Sequence, residues 1–376
     1  MRFLAILIPI LAVFGADLPV EQWPLPDGAL QPRVAVDGQG VVHAVWLRGD
    51  PQASEVWYAQ RSADAGSWMP AVRVDRGAGS AVAMGTVRGV HIALDGKDRA
   101  HLLWLGSAKA ELKSEDGSAP MLYIRAGESG FSVPLNIIER GVGVDGGSAV
   151  AADDEGRVWV FWYARAGASE DAKRVVIFWR STDAGATFGR EQSAANRPTG
   201  ACACCGMAAM ADGSGGALAI FRQAAGNEDR SVILAQVNAA GKAEPGIALS
   251  PWPTISCPMS TATSVRSGKR MLVAWETNGQ VSWTDITAGR PGTRTDAPGA
   301  GRGRKHPSVA VDASGRVCLA WVEGSGWNKT GRLRWQIWSA DGKPEGDIDN
   351  GGELPVWGTA AVAPRPGSRF AIIRRM

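Results

Sequence analysis

Short apolar runs of Val, Ala, Ile and Leu follow one another along the chain at even spacing, joined by polar turns rich in Asp and Gly. One unit recurs: an apolar strand, an Asp-x-x-Gly turn and a second apolar strand that ends in Trp or a related residue. Copies lie at 33–46, 91–104, 148–162, 207–221, 261–275, 307–321 and 358–373. Asp and Gly supply the positive φ that tight hairpin turns need, so the pattern predicts repeated β-hairpins.

A third apolar strand follows most hairpins, for example at 55–62 and 174–181, and a less regular fourth strand follows at 71–77. Four strands repeated every roughly 45 to 60 residues predict an all-β propeller of four-stranded antiparallel sheets. The last unit has only two strands before the chain ends. If the segment 18–26 supplies its outer strand, the ring has seven blades; a six-bladed ring with an irregular last hairpin is the alternative.

Two connections between third and fourth strands share a motif: STDAGATF at 181–188 and SADAGSW at 62–68. On these motifs the chain resembles the sialidase-like superfamily of Asp-box (BNR-repeat) propellers, and the segments GACACCGM at 200–207 and ISCPM at 255–259 are similar to a bacterial branch of it with a Cys-x-Cys-Cys motif. Ser and Asp side chains can bond the amides of such a turn, and Gly accepts its dihedrals, so the box itself is expected to be structural.

The first 16 residues predict a signal peptide: Arg2 precedes an apolar run from Phe3 to Phe14, and the small residues Gly15 and Ala16 follow. The run is shorter than the ~20 residues that span a bilayer, so the mature chain, 17–376, should carry no membrane span. We expect a secreted or periplasmic protein. Lys and Arg number 40 against 37 Asp and Glu, without a long basic run, which argues against a nucleic-acid partner.

Four of the five cysteines fall just before the first strands of units four and five. In a propeller these segments gather at the central channel, which would bring together Cys202, Cys204, Cys205 and Cys257. Export favours disulfides, such as Cys257 with one of the other three. The alternative is a copper or zinc site that adds His306, which precedes the first strand of unit six. Cys318 occupies a core position of the repeat and should be a packed thiol.

The resemblance implies a catalytic set of three arginines, a late tyrosine with a glutamate, and an acid-base aspartate. The candidates at matching places are Arg33, Arg222, Arg230 and Asp50. All three tyrosines lie in the first half of the chain, where the nucleophile is not expected, so the usual sialidase mechanism is disfavoured.

Three functions remain open. The first is a non-catalytic binding or scaffold protein, with a carbohydrate, another small ligand or a partner protein at the channel mouth. The second is an exo-acting, sialidase-like glycoside hydrolase with altered catalytic residues, since a fold does not fix a function. The third is a copper- or other soft-metal-binding or redox protein that uses the cysteines.

Overall fold

A computed structural model describes residues 19–139, 147–165, 171–195 and 200–376. The signal peptide predicted at 1–16 lies outside these residues. The described strands form seven sheets in a ring, which confirms the all-β propeller and decides for seven blades over six. No described helix is long and apolar enough to cross a membrane.

The blades are numbered in chain order, with the strands running outward from the centre of the ring. Blade one contains β2 (Leu30–Val36), β3 (Val42–Asp50), β4 (Ala53–Arg61) and β5 (Val72–Arg73). Blade two contains β6 (His91–Leu94), β7 (Ala100–Leu105), β8 (Met121–Gly127), β9 (Gly130–Phe131) and β10 (Leu135–Asn136). Blade three contains β11 (Ser148–Ala152), β12 (Val158–Arg165), β13 (Arg174–Ser181) and β14 (Gln192–Ser193), with a short 3-10 helix at Asp171–Lys173.

The remaining blades repeat this order. Blade four contains β15 (Ala208–Ala211), β16 (Ala217–Arg222), β17 (Val232–Val237) and β18 (Ile247–Ser250). Blade five contains β19 (Thr263–Ser267), β20 (Arg270–Thr277), β21 (Gln280–Thr287), β22 (Arg290–Pro291) and β23 (Thr295–Asp296). Blade six contains β24 (Arg304–Val311), β25 (Val317–Glu323), β26 (Gly331–Trp338) and β27 (Pro344–Leu354). Blade seven contains β28 (Ala361–Arg365), β29 (Arg369–Arg375) and the N-terminal strand β1 (Val20–Leu25).

The N-terminal strand closes the ring. β1 pairs with β29 from Val20 opposite Phe370 to Leu25 opposite Arg375, and it is the outermost described strand of blade seven, as the sequence predicted. The pairing is parallel, whereas the other strand pairs are antiparallel. Blade seven therefore joins the two ends of the described chain.

The core lies between neighbouring sheets. The aromatic residue that ends the second strand of most units is buried there; these residues are Trp46, Trp104, Trp162, Phe221, Trp275 and Trp321. One cluster joins blade seven to blade one through Trp23, Trp46 and Ile373, and equivalent clusters join the other blades. Burial of this large apolar residue, Trp in five of the seven units, therefore packs neighbouring sheets against each other.

The Asp-box segment of blade three forms the predicted turn. Ser181 Oγ accepts a hydrogen bond from the Gly185 amide at 2.9 Å, and Asp183 Oδ1 accepts one from the Thr187 amide at 2.9 Å. Gly185 has φ +73°, and the Phe188 ring packs edge-on against Tyr123 with centroids 5.0 Å apart. The turn therefore ties blade three to blade two.

Strand direction gives the ring two distinct ends. The loops that lead into each innermost strand, and the connections between second and third strands, lie at one end, here called the mouth end. The first hairpin turn of each blade and the Asp-box connections lie at the other end, because successive strands are antiparallel.

Candidate functional site

Four cysteines meet at the mouth end, where blade four adjoins blade five. Cys202, Cys204 and Cys205 lie in the loop that leads into β15, and Cys257 lies in the loop that leads into β19. Cys204 and Cys257 form a disulfide across 53 residues, with Cα atoms 7.0 Å apart. This is one of the pairings that the sequence allowed, and it joins the two neighbouring blades.

The other two cysteines of the cluster are buried thiols. Cys202 Sγ lies 3.2 Å from Cys204 Sγ and 3.5 Å from Cys205 Sγ. The amide of Cys205 donates to the carbonyl of Cys202 at 3.1 Å, and the amide of Cys202 donates to the carbonyl of Arg222 at 2.9 Å. A tight turn fastened to the end of β16 therefore holds the three sulfurs together.

The sulfur atoms of Cys202, Cys204 and Cys205 all lie within 4.8 Å of one another, and they are the one such group of possible metal ligands among the described residues. A disulfide sulfur is not a thiolate, so two thiol donors remain while the bond to Cys257 is intact. A three-thiolate copper or zinc site would first require reduction of that disulfide. The metal site stays a prediction.

His306 lies outside this cluster. Its Nε2 is 3.2 Å from Thr86 Oγ1, and its Nδ1 is 3.4 Å from Thr261 Oγ1. Burial, with the positive charges of Lys305 and Arg33, lowers the pKa of His306 to about 3. The imidazole is therefore neutral at ordinary pH and is held by two hydroxyl groups.

Arg222 and Arg230 are both buried beside the cysteine cluster. Arg222 Nη1 donates to the carbonyl of Arg230 at 2.6 Å, and Arg222 Nη2 lies 3.4 Å from Glu276 Oε2. The guanidinium also lies 5.1 Å from the ring centre of Trp252. Arg222 is thus engaged within the protein rather than presented to a ligand.

The charge of Arg222 acts on the thiols. Burial alone would raise the pKa of Cys205, but the hydrogen bond with Cys202 and the positive charge of Arg222 bring it below its usual range. Burial, with the neighbouring Cys205 and Cys202, raises the pKa of Tyr163 well above its usual range. A cavity of about 10 Å³, the space of one water molecule, lies beside Cys205 and Arg222.

A loop at residues 80–90, here called the strap, reaches over the mouth end. The amides of Ala83 and Met84 donate to the carbonyl of Pro51 in blade one at 2.8 and 2.9 Å. At the other side, Thr86 bonds His306 of blade six, and a Cβ on Gly85 would stand 2.7 Å from the Trp327 ring. The strap therefore links blade one to blade six, which blade seven separates in the ring.

Arg33 lies in β2 near the strap, since Gln31 donates to the strap carbonyl of Ala83. Its side chain forms no hydrogen bond or ion pair with any residue that the structure describes. Burial lowers the pKa of Arg33 to about 10, and its charge in turn lowers the pKa values of the buried His91 and His306. Arg33 is therefore a half-buried cation, and the imidazoles of His91 and His306 near it are neutral.

Asp50 ends β3 at the mouth end and is exposed. Its Oδ1 accepts a hydrogen bond from the Gln52 amide at 2.9 Å, which is the turn-forming geometry of an Asp beside a Pro. The structure therefore brings Arg222 to Arg230, leaves Arg33 among imidazoles, and uses Asp50 in a turn.

The sequence did not reveal the strap or its contact with Trp327. The one available signal was the long interval between the fourth strand of unit one and the start of unit two. Cys202 and Cys205 also have Cys-x-x-Cys spacing, which is hidden in the sequence by the intervening Cys204.

No family model and no curated protein matches this chain. Solved structures do match in fold. A protein of unknown function from Dyadobacter fermentans DSM 18053 has 13% identity, 90% coverage of this chain and 97% of its own, and a TM-score of 0.56. The Hadza microbial sialidase Hz136 has 11% identity, 78% and 63% coverage, and a TM-score of 0.51. A PL25 ulvan lyase bound to -[GlcA(1-4)Rha3S]- has 10% identity, 89% and 87% coverage, and a TM-score of 0.52.

These likenesses define the class of the protein: a seven-bladed β-propeller whose structural neighbours include a sialidase and a polysaccharide lyase. At such low identity they show the fold alone.

Proposed function

We propose that this protein is an exported sialidase-like propeller that binds a carboxylate-bearing carbohydrate at the mouth end, without turnover, through Arg33. The observation that carries the proposal is the state of Arg33, a cation with no described partner, enclosed at the mouth by the strap and by neutral histidines. A guanidinium recognises a carboxylate through paired, charge-assisted hydrogen bonds, and partial burial strengthens them.

The structural neighbours support a ligand of this chemistry. A sialidase and a lyase bound to a glucuronate-containing oligosaccharide share the fold. Exposed aromatic surface lies close by, since Trp327 is 49% exposed and packs on the strap at Gly85. An aromatic face beside a cation suits a sugar ring that carries an acid group.

Binding without turnover is favoured by what the candidate catalytic groups do. Tyr58 and Tyr123 are each hydrogen-bonded to a histidine of their own blade, at 2.6 Å in both cases, and Tyr163 is buried. Asp50 is committed to its turn. Hydrolysis of a glycoside needs a nucleophile or paired carboxylates at the sugar, and none of these four residues is placed to supply one.

Isothermal titration calorimetry with uronate oligosaccharides and N-acetylneuraminic acid tests the proposal, with their methyl esters as neutral matches. Arg33→Gln should weaken binding of the acids by about tenfold or more, because a charge-assisted pair contributes about 1.5–3 kcal/mol. Arg33→Lys should weaken it less. Arg190→Gln, an exposed arginine at the opposite end, should have no effect.

Equal binding of acid and ester, or unchanged binding by Arg33→Gln, would overturn the proposal. Release of a shortened or unsaturated sugar would instead support the glycoside hydrolase or lyase alternative.

A further inference from the structure

The cluster contains two more cysteines than a single disulfide between blades, a structural staple, requires. One disulfide, Cys204–Cys257, already joins blades four and five. Two further thiols stand behind it: Cys202 is in contact with Cys204 at 3.2 Å and with Cys205 at 3.5 Å. This continuous row of sulfur atoms is independent of Arg33 and of the proposed carbohydrate site.

The four residues form two pairs of different exposure. Cys257 is exposed and Cys204 is half-buried, so this outer pair reaches the surface. Cys202 and Cys205 are buried, and a turn hydrogen bond of 3.1 Å holds these residues at Cys-x-x-Cys spacing. That spacing allows a local disulfide within one turn.

We propose that the two pairs exchange one disulfide between them, so that the protein is a thiol–disulfide relay. In the first step the Cys202 sulfur attacks Cys204 Sγ. The Cys202–Cys204 bond forms, the Cys204–Cys257 bond breaks, and the proton lost by Cys202 is taken up by Cys257 through solvent. No net oxidation occurs.

In the second step the Cys205 sulfur attacks Cys202, forms the Cys202–Cys205 disulfide and releases Cys204 as a thiol. Two reducing equivalents have then moved from the buried pair to the exposed pair. The outer dithiol can reduce an external low-molecular-weight disulfide, R–S–S–R, which gives two R–SH and restores the Cys204–Cys257 bond. Over these steps the protein passes from one disulfide to two, losing two electrons and two protons, and the external disulfide gains them.

Position in the cluster separates this activity from a structural role. A staple requires only Cys204 and Cys257, and its stability would not depend on a thiol touching its sulfur. A relay requires Cys202 as the attacking group and Cys205 as the resolving group. Cys318 is a buried thiol of blade six outside the cluster, and it provides a control within the same chain.

The experiment uses the full chain purified without reductant and with a chelator present, so that no metal shields the thiols. Oxidised glutathione is added, thiols are alkylated at timed intervals, and disulfides are mapped by mass spectrometry. Wild type should form the Cys202–Cys205 bond and release about two equivalents of reduced glutathione per chain. Cys318 should remain alkylatable only after unfolding.

Variants test each step. Cys202→Ser should slow glutathione release at least tenfold, because the attacking sulfur is gone. Cys205→Ser should stop the exchange after the first step and accumulate the Cys202–Cys204 bond, with the released Cys257 captured as its mixed disulfide with glutathione and one equivalent of reduced glutathione set free. Cys318→Ser should behave as wild type. Thermal unfolding midpoints confirm that each variant is folded.

If Cys204–Cys257 is the sole bond that folded wild type ever shows, and if Cys202 and Cys205 react with glutathione disulfide only in urea, the relay is overturned. The wild-type mapping decides this even where a variant fails to fold.

Discussion

Arg222 and Glu276 form a buried ion pair between blade four and blade five, and its removal should destabilise the fold rather than a ligand complex. The two side chains are 5% and 1% exposed. Besides the 3.4 Å contact between Arg222 Nη2 and Glu276 Oε2, Arg222 donates to the main-chain carbonyls of Glu276 and Arg230. Glu276 Oε1 accepts from the Gly279 amide at 2.6 Å.

Arg222→Met should lower the free energy of unfolding by about 3–5 kcal/mol, because it leaves the Glu276 carboxylate buried without its counter-charge. The Met side chain preserves most of the apolar stem, so the loss comes mainly from the charge. The double variant Arg222→Met/Glu276→Gln should recover about 2 kcal/mol of the loss, since the amide oxygen can still accept from the Gly279 amide and no charge remains buried.

Urea unfolding, followed by tryptophan fluorescence, gives the midpoint and slope for each variant. Arg294→Met is the matched control, because Arg294 and Asp296 form an ion pair whose side chains are 40% and 49% exposed. Such exposed pairs contribute at most about 1 kcal/mol. If Arg222→Met unfolds like this control yet abolishes sugar binding, Arg222 is a ligand clamp and the structural interpretation is wrong.

Three further outcomes are expected. Gly185→Ala should lower stability by more than about 2 kcal/mol in thermal unfolding, because Gly185 has φ +73° and a Cβ there would overlap the Tyr123 hydroxyl. His306→Asn should flatten the acid dependence of stability. In the unfolded wild type the imidazole binds a proton below about pH 6.5, whereas in the folded protein, with a pKa of about 3, it stays neutral. The free energy of unfolding therefore falls as the pH drops below 6.5. Between pH 7 and pH 5 wild type should lose about 2 kcal/mol more of it than His306→Asn does, as measured by urea unfolding. Cys257→Ser should lower stability by about 2–4 kcal/mol in the absence of reductant, and dithiothreitol should remove its difference from wild type, because both then lack the bond to Cys204.

Much of the fold could be predicted because each strand and turn of the repeat has a recognisable local residue pattern. The third strand of blade three has the predicted bounds, Arg174–Ser181, and the N-terminal segment closes the ring. The outer strands were harder: the segment 71–77 contributes only Val72–Arg73. Exposed edge strands bury little apolar surface, so the sequence constrains their ends weakly. The parallel direction of β1 has no local signal at all.

The candidate site depended more on contacts between distant residues. Repeat positions placed Cys204 and Cys257 in neighbouring loops, but side-chain directions decide which sulfurs bond. His306 contacts Thr261 instead of the thiols. It lies in a bulge of β24, where its backbone has a φ of 54°. Arg222 was a candidate catalytic residue; in the structure it contacts Glu276, which lies 54 residues away in sequence.

A residue's position in the repeat predicts whether its side chain is buried, but it does not predict the hydrogen-bond partners of that side chain. His43 and His101 occupy the same repeat position as Cys318, and they are 2% and 0% exposed. Each carries polar partners into that core: His43 lies between Asp37 and Tyr58, at 3.2 and 2.6 Å. A buried imidazole needs such partners, and here they come from the hairpin turn and the third strand of the same blade.

The mouth and the cysteine pairs are neighbours that should act separately. The loop carrying Cys257 is anchored to blade four by the disulfide and to blade six by Lys305, whose Nζ donates to the Pro258 carbonyl at 2.5 Å. Thr261 adds a third anchor at His306. Reduction or exchange of the disulfide removes one anchor and leaves the two on blade six, and the residues proposed to bind the sugar include none of the four cysteines. Because of this division, loss of sugar binding in an Arg33 variant and loss of disulfide exchange in a Cys202 variant report on different parts of the molecule.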